Sequence, residues 1–180
     1  MPAPPVIYLA GPEVFLPDAA AIGAAKVALC ERYGLDGRYP LDAAVATAEL
    51  AAPERALALF DAMIVMLDGC DAVIANLTPF RGPSADVGTA WELGYAAGRG
   101  LPVFGYTGAL VHYGDRVTPD GLLIEDFDLA DNLMLEGAVR RHGGEIVRVD
   151  SGPDPLERLR RLDGFEIAAQ RAAAHFGLPG

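Results

Sequence analysis

The chain has 180 residues, with 25 acidic and 14 basic side chains that give a formal net charge of -11. This charge repels polyanions such as nucleic acid, and the two cysteines, both in apolar helical contexts, favour a reducing, cytoplasmic compartment over a disulfide framework. No apolar run approaches membrane-spanning length and the N-terminus lacks a signal-peptide pattern, so we expect a soluble protein with one domain over residues 1–180.

The first half of the chain alternates short apolar runs with longer segments of helical periodicity. "VIYLA" (6–10) predicts a strand, and "DAAAIGAAKVALCERYGL" (18–35) predicts a helix that ends at a glycine. "GRYPLDA" (37–43) is a weak strand or a loop. "APERALALFDAMIVMLDGC" (52–70) predicts a long helix with a proline near its first turn, and "DAVIANLTPF" (71–80) is the clearest buried strand.

The second half continues the alternation. "VGTAWELGYAAGRG" (87–100) predicts a helix stopped by Gly98 and Gly100, followed by a strand at "LPVFGY" (101–106). A helix over 128–144, a fifth strand at "EIVRVD" (145–150) and one closing helix over 154–177 complete the pattern. Strands that alternate with helices predict an α/β fold with a five-stranded parallel sheet flanked by helices.

Ligands of such folds bind at the carboxyl ends of the strands, where three loops of this chain are expected to meet: "AGPEVF", "TPFRGPSAD" and "YTGALVHYGD". Gly11 and Phe15 of the first loop are candidates for substrate binding, although Phe15 could also be core. Asn76 either anchors the end of its strand or contacts a ligand. No dinucleotide fingerprint, Walker loop or spaced His and Cys ligands occur, so we expect neither a cofactor nor a metal.

Glu92 stands alone in "DVGTAWELGYAAG", the only charge between Asp86 and Arg99. It could form a salt bridge to Arg99, two turns later in the same helix. Alternatively, it is partly desolvated by its aromatic neighbours Trp91 and Tyr95, which is costly unless the carboxylate is hydrogen-bonded. The hydroxyl of Tyr8, at the end of the first strand, is a suitable donor.

Asp86 lies at the start of the same helix, where its simplest role is an N-cap that accepts backbone donors of the first turn. A loop-borne Asp86 could also lean toward the pocket that contains Glu92. Two carboxylates in different environments can divide the roles of nucleophile and acid.

Three stretches, "IYLAGPEVF" (7–15), "DAVIANLTPFRGPSADVGTAWELGYAAGRGLPVFGY" (71–106) and "DNLM" (131–134), resemble the nucleoside 2-deoxyribosyltransferases. The resemblance implies a flavodoxin-type α/β domain that transfers the 2-deoxyribosyl group between nucleobases without a cofactor. It also implies a homo-oligomer, a dimer or larger, in which one subunit completes its neighbour's active site. The implied ligands are small 2'-deoxynucleosides and free nucleobases.

The resemblance assigns roles to four residues of this chain. Glu92 in "WELGYA" matches the nucleophile, and Asp86 in "DVG" matches the acid that handles the base. Tyr8 in "IYLAG" matches the tyrosine that orients the nucleophile. Asn132 in "DNLM" matches the residue that reaches across the subunit interface to the sugar 5'-hydroxyl.

One position departs from the family pattern. The family usually places Asn or Asp eight residues ahead of the position of Asp71, where this chain has Met63. Asp61, two residues earlier, is the candidate that could replace the missing polar group. Two other functions remain open at this point, a 2'-deoxynucleoside 5'-monophosphate N-glycosidase with water as acceptor and a non-catalytic nucleotide-sensing module.

Overall fold

The computed structural model describes residues 3–41 and 49–178. All strand pairs are parallel and form one sheet in the order β2-β1-β3-β4-β5. The strands are β1 (Val6–Ala10), β2 (Asp36–Arg38), β3 (Ala72–Asn76), β4 (Val103–Thr107) and β5 (Val147–Arg148). This is the flavodoxin-like strand order, in which ligands bind beside the carboxyl ends of β1 and β3. The predicted five-stranded parallel α/β fold is confirmed.

Helices cover both faces of the sheet. A short 3-10 helix (Pro12–Phe15) follows β1, and the α-helices are α1 (Ala19–Arg32), α2 (Ala52–Asp68), α3 (Val87–Gly98), α4 (Tyr113–Arg116), α5 (Leu133–His142), α6 (Pro155–Arg160) and α7 (Asp163–His175). Helices α1 and α7 share a buried apolar cluster with one face, while α2, α3 and α5 share another with the opposite face. Within the described ranges, no helix has the length and apolar character needed to cross a membrane.

The alternation of side chains along β1 decides which residues face the candidate site. Ile7 and Leu9 belong to the cluster under α1 and α7, whereas Tyr8 and Ala10 belong to the cluster on the other face. Successive strand residues point to opposite faces, so this register turns Tyr8 toward α3. The hydroxyl of Tyr8 therefore points toward α3, the helix that bears Glu92.

The expected closing helix over 154–177 is wrong, because the structure has two helices there. Helix α6 ends at Arg160, and Arg161 has an extended backbone with φ of -67° and ψ of 132°. Leu159 packs with a small cluster near α1, whereas Phe165 and the alanines of α7 pack into the main core. The two halves bury their apolar faces against different parts of the protein, so one straight helix cannot serve both.

Several predicted boundaries were too generous. The buried strand of 71–80 ends at Asn76, and the fifth strand comprises Val147 and Arg148 alone. The weak segment 37–43 contributes the end of β2, while residues 42 and 43 lie outside the described ranges. Helix α3 ends where predicted, and Gly100 follows it with φ of 78°, a left-handed conformation that favours glycine.

Candidate active site

Tyr8 and Glu92 meet at the interface between the sheet and α3, although 84 positions separate them in the chain. The Tyr8 hydroxyl donates a hydrogen bond of 2.5 Å to Glu92 Oε1, and it lies 3.5 Å from the Sδ atom of Met63. Tyr8 is fully buried within the cluster between β1 and the helices. The donor is therefore fixed, and it holds one carboxylate oxygen of Glu92 in a single place.

The environment of Glu92 favours its protonated form more than water does. Burial raises the pKa of Glu92 from 4.5 to about 7, the Tyr8 hydrogen bond opposes this rise, and the nearby charge of Asp86 adds to it. Burial, followed by the charge of Glu92, also raises the pKa of the Tyr8 hydroxyl, so Tyr8 remains a donor. Near neutral pH, Glu92 can thus ionise while staying poorly hydrated, which suits a carboxylate nucleophile.

Asp86 serves as the N-cap of α3, as the simpler sequence interpretation predicted. Its Oδ2 atom accepts hydrogen bonds from the backbone N–H of Thr89 at 3.0 Å and from the Thr89 hydroxyl at 3.3 Å. The Asp86 side chain also lines the cavity that contains Glu92. Both interpretations of Asp86 are compatible, because the cap fixes the carboxylate at the edge of the cavity.

This cavity has a volume of about 370 Å³ and opens beside the carboxyl ends of β1 and β3. It is large enough for a small organic ligand, and apolar side chains form most of its wall. It is lined by Gly11, Val14, Phe15, Pro40, Leu41, Leu59, Met63, Asp86, Gly88, Thr89 and Glu92. Three larger cavities lie beside β2, α2 and α7, but none of them is lined by Asp86 or Glu92, so chemistry rather than size selects this one.

The structure decides against the first of the two alternatives for Glu92, a salt bridge to Arg99. Both the Tyr95 hydroxyl and the Arg99 guanidinium bind Oδ1 of Asp68, at 2.9 and 2.6 Å, so Arg99 does not pair with Glu92. Trp91 stacks on Tyr95 and is 47% exposed. Arg99 is seven residues from Glu92, about 10 Å along a helix, whereas Asp68 at the end of α2 lies alongside. The hydrogen bond that Glu92 accepts comes from the sheet instead, through Tyr8 of β1.

Phe15 lies at the mouth of the cavity, where 57% of its side chain is exposed and its ring stacks on Phe80 with centroids 5.4 Å apart. The Arg81 guanidinium lies over both rings. Asp61 is exposed on α2 and does not line the cavity, whereas Met63 does. The polar group expected at the position of Met63 is thus not replaced by Asp61 in this chain.

Asn132 is not brought to the cavity of its own chain. It caps α5, with its Oδ1 accepting from the backbone N–H of Met134 at 3.0 Å and its Nδ2 donating to Glu125 Oε1 at 2.8 Å. Met134 and the preceding loop residue Leu123 are exposed. Asn132 itself is half-buried and bound to an acid of this loop.

A buried polar network centred on Glu13 was not predicted from the sequence. Glu13 Oε1 accepts hydrogen bonds from the Lys26 ammonium, from Asn76 Nδ2 at 2.7 Å and from the Tyr106 hydroxyl at 2.8 Å. Asn76 is consequently an anchor of the strand end and does not line the cavity. A Cβ atom on Gly11 would overlap the Glu13 carboxylate, so a larger residue there would have to displace this buried side chain. An acid and a lysine within otherwise apolar segments were the available signal.

Comparison with known proteins adds independent findings. The family model described as "Nucleoside 2-deoxyribosyltransferase" matches residues 7–134. A protein of Schizosaccharomyces pombe, described as uncharacterised, is 33% identical over 198 residues, which cover 95% of this chain and 92% of that protein.

Two solved structures resemble the fold. A 2-desoxiribosyltransferase from Leishmania mexicana has a TM-score of 0.64 and 35% identity, over 82% of this chain and 91% of that one. A 2-deoxyribosyltransferase from Bacillus psychrosaccharolyticus has a TM-score of 0.52 and 22% identity, over 74% of this chain and 82% of that one. The second likeness concerns the fold alone.

Proposed function

The chain belongs to the nucleoside 2-deoxyribosyltransferase family, and from this premise we propose that it exchanges the base of 2'-deoxyribonucleosides through a covalent intermediate on Glu92. The observation that carries the proposal is the buried Tyr8–Glu92 hydrogen bond beside Asp86 in one cavity. Residues 1–180 act as one catalytic domain in this proposal.

In the first half-reaction, a carboxylate oxygen of Glu92 attacks the anomeric carbon of the nucleoside from the face opposite the base. The bond between the sugar and the base breaks, and its electron pair leaves with the base. Asp86, or a water that it holds, gives a proton to the departing nitrogen. The product is a deoxyribosyl ester on Glu92 and a free nucleobase.

In the second half-reaction, a nitrogen of an incoming base attacks the same carbon and displaces Glu92, and its proton passes to Asp86. Each displacement inverts the carbon, so the β configuration is retained, as in a retaining glycosidase. Tyr8 donates to Glu92 throughout, and it stabilises the carboxylate both before attack and as it leaves. The scheme uses no cofactor.

The mostly apolar wall of the cavity suits a flat nucleobase that is bound next to a sugar. Phe15 and Met63 offer apolar surface to a nucleobase, and Asp86 offers a polar contact at the edge of the same cavity. Asp86 and Glu92 lie where charge changes during the proposed reaction. We therefore expect small 2'-deoxynucleosides and free bases as substrates, recognised more by stacking and shape than by many hydrogen bonds.

The proposal includes self-association, with Asn132 completing the site of a neighbouring subunit. The loop before Asn132 and the start of α5 carry exposed apolar side chains, among them Leu122, Leu123, Phe127 and Met134. Apolar patches of this kind usually mark interaction sites. A second copy of the chain would cover these apolar side chains. It would also bring its own cavity to Asn132, which does not reach the cavity of its own chain.

A transfer assay tests the reaction. Thymidine and adenine are incubated with the protein, and we expect 2'-deoxyadenosine to form with wild type but not with Glu92→Ala. Retained exchange by Glu92→Ala would refute the nucleophile assignment. Free deoxyribose formed without transfer would instead favour the hydrolase, and binding without turnover would favour the sensing module.

A mixing experiment tests the shared site. Glu92→Ala and Asn132→Ala should each be inactive, but a mixed dimer contains one site with both native residues. Random mixing should restore activity to about one quarter of the wild-type sites. Failure to recover activity in subunits shown to exchange would contradict the sharing of Asn132.

A further inference from the structure

The loop that precedes Asp86 is bound by a buried acid, Asp131, which has no role in the reaction scheme. Asp131 is 1% exposed. Its Oδ2 atom accepts from the backbone N–H of Ala85 at 2.9 Å, and its Oδ1 atom accepts from the Ser84 hydroxyl. Asp131 thus binds the two residues that directly precede Asp86.

A partly buried arginine, Arg116, extends the same support by one residue. Arg116 Nε donates to the carbonyl oxygen of Pro83 at 2.8 Å, and Arg116 Nη2 lies 3.7 Å from Asp131 Oδ2. Arg116 also donates to the carbonyl of Ala130 at 2.8 Å. Residues 83, 84 and 85 are consequently all bound by this one ion pair.

Burying a carboxylate is costly unless hydrogen bonds compensate for the lost water. For Asp131, the compensating donors come from the Asp86 loop, from Arg116 and from the backbone N–H of Asn132, at 2.7 Å. The folded state therefore fixes this loop more tightly than a solvent-exposed turn would be fixed. Asp86 follows directly as the cap of α3, so the chain is held before Asp86 by Asp131 and the Asp86 carboxylate is held by Thr89.

We propose that Asp131, together with Arg116, is a positioning residue that sets the Asp86 carboxyl group at the departing base. This inference rests on the proposed function, in which Asp86 supplies the proton. A purely structural role would affect all substrates alike. A positioning role has a different signature, because it affects only substrates whose base needs a proton to leave.

Two substrates separate these signatures. The base of 2'-deoxyadenosine needs a proton as its bond to the sugar breaks. In 7-methyl-2'-deoxyguanosine the base already carries a positive charge, and the electron pair of the broken bond neutralises it without proton transfer. Release of each base is measured under single-turnover conditions, so that only the first half-reaction is observed.

Asp131→Asn is the test variant, because it keeps the shape but directs an amide N–H₂ toward existing donors. We expect adenine release to fall by roughly 10- to 100-fold, and 7-methylguanine release by less than about 3-fold. Asp86→Asn should show the same selectivity. Displacement of Asn132 would lower both rates together, so the ratio of the two rates reports on Asp86.

Glu136→Gln is the matched control. Glu136 is also buried, and it accepts from the backbone N–H of Ala130 at 3.0 Å, next to Asp131, but it makes no hydrogen bond to residues 83–85. Its ratio of rates should equal that of wild type. If Asp131→Asn does not fold, Ser84→Ala removes one of its hydrogen bonds and should shift the ratio in the same direction, by a smaller factor.

If wild type is active and Asp131→Asn leaves the ratio of adenine release to 7-methylguanine release unchanged, the positioning role is overturned. If Asp131→Asn does not fold, an unchanged ratio in Ser84→Ala overturns it in the same way. A ratio shifted equally by Glu136→Gln overturns it as well. If wild type releases neither base, the proposed function fails and this inference falls with it. Selective loss of adenine release in Asp131→Asn alone supports it.

Discussion

Replacing Glu92 by glutamine should stabilise the protein above neutral pH while abolishing the proposed reaction. Folding raises the pKa of Glu92 from 4.5 to about 7, chiefly through burial. Between these two values the native state binds more protons than the unfolded chain. The free energy of unfolding of wild type therefore falls as the pH rises through this window, and the penalty is complete above about pH 7.

The size of the penalty follows from the shift. One pKa unit corresponds to about 1.4 kcal/mol, so ionised Glu92 costs the native state about 3 kcal/mol near pH 8 and less than about 1 kcal/mol near pH 5. Glutamine does not titrate in this range, and its carbonyl oxygen can still accept from Tyr8. Any constant cost of the new amide group cancels when the two pH values are compared.

Urea unfolding, followed by circular dichroism at one protein concentration, measures the effect. We expect the stability of Glu92→Gln relative to wild type to increase by about 2 kcal/mol from pH 5 to pH 8. Glu54→Gln, at an exposed position of α2, measures the effect of removing one surface charge. A relative stability of Glu92→Gln that is the same at both pH values, or that changes as it does for Glu54→Gln, would refute the reasoning.

Three further perturbations test other parts of the molecule. Tyr8→Phe removes the hydrogen bond that lowers the pKa of Glu92. The acidic limb of its kcat/KM profile should therefore move upward by roughly one pH unit, and an unmoved limb would contradict the contact. Lys26→Met leaves the buried Glu13 carboxylate without its cation and should destabilise the protein by about 3–5 kcal/mol in urea unfolding. The double variant with Glu13→Gln should recover most of that loss, and no recovery would argue against a direct ion pair. Phe15→Ala, at the exposed mouth of the cavity, should raise KM for the nucleoside with little change in the unfolding midpoint; an unchanged KM would exclude stacking on the base.

Much of the fold was predictable because it depends on local patterns. Continuous apolar runs such as 72–76 and their alternation with helical segments indicated a parallel sheet covered on both faces. The single closing helix was wrong because helical periodicity continues through Arg161 and Leu162. Nothing local shows that the segments on either side of these residues pack against different parts of the core.

The candidate site was predictable only in part. The lone acid at position 92 and the N-cap pattern of Asp86 are visible in the sequence, since each depends on nearby residues. The direction in which Arg99 points is not visible, because its partner Asp68 comes from another helix. The Glu13–Lys26 ion pair was not predicted for the same reason. The local sequence around either residue does not show that the two side chains meet.

The sequence by itself determined the order of the elements and the family resemblance, because apolar periodicity, caps and motif spacing are properties of neighbouring residues. The tertiary structure decided which polar groups meet: Tyr8 with Glu92, Glu13 with Lys26, and Asp131 with the Asp86 loop. Burial and hydrogen-bond geometry arise only when distant segments pack. The strength of Glu92 as an acid, and hence its suitability as a nucleophile, is therefore a property of the folded chain.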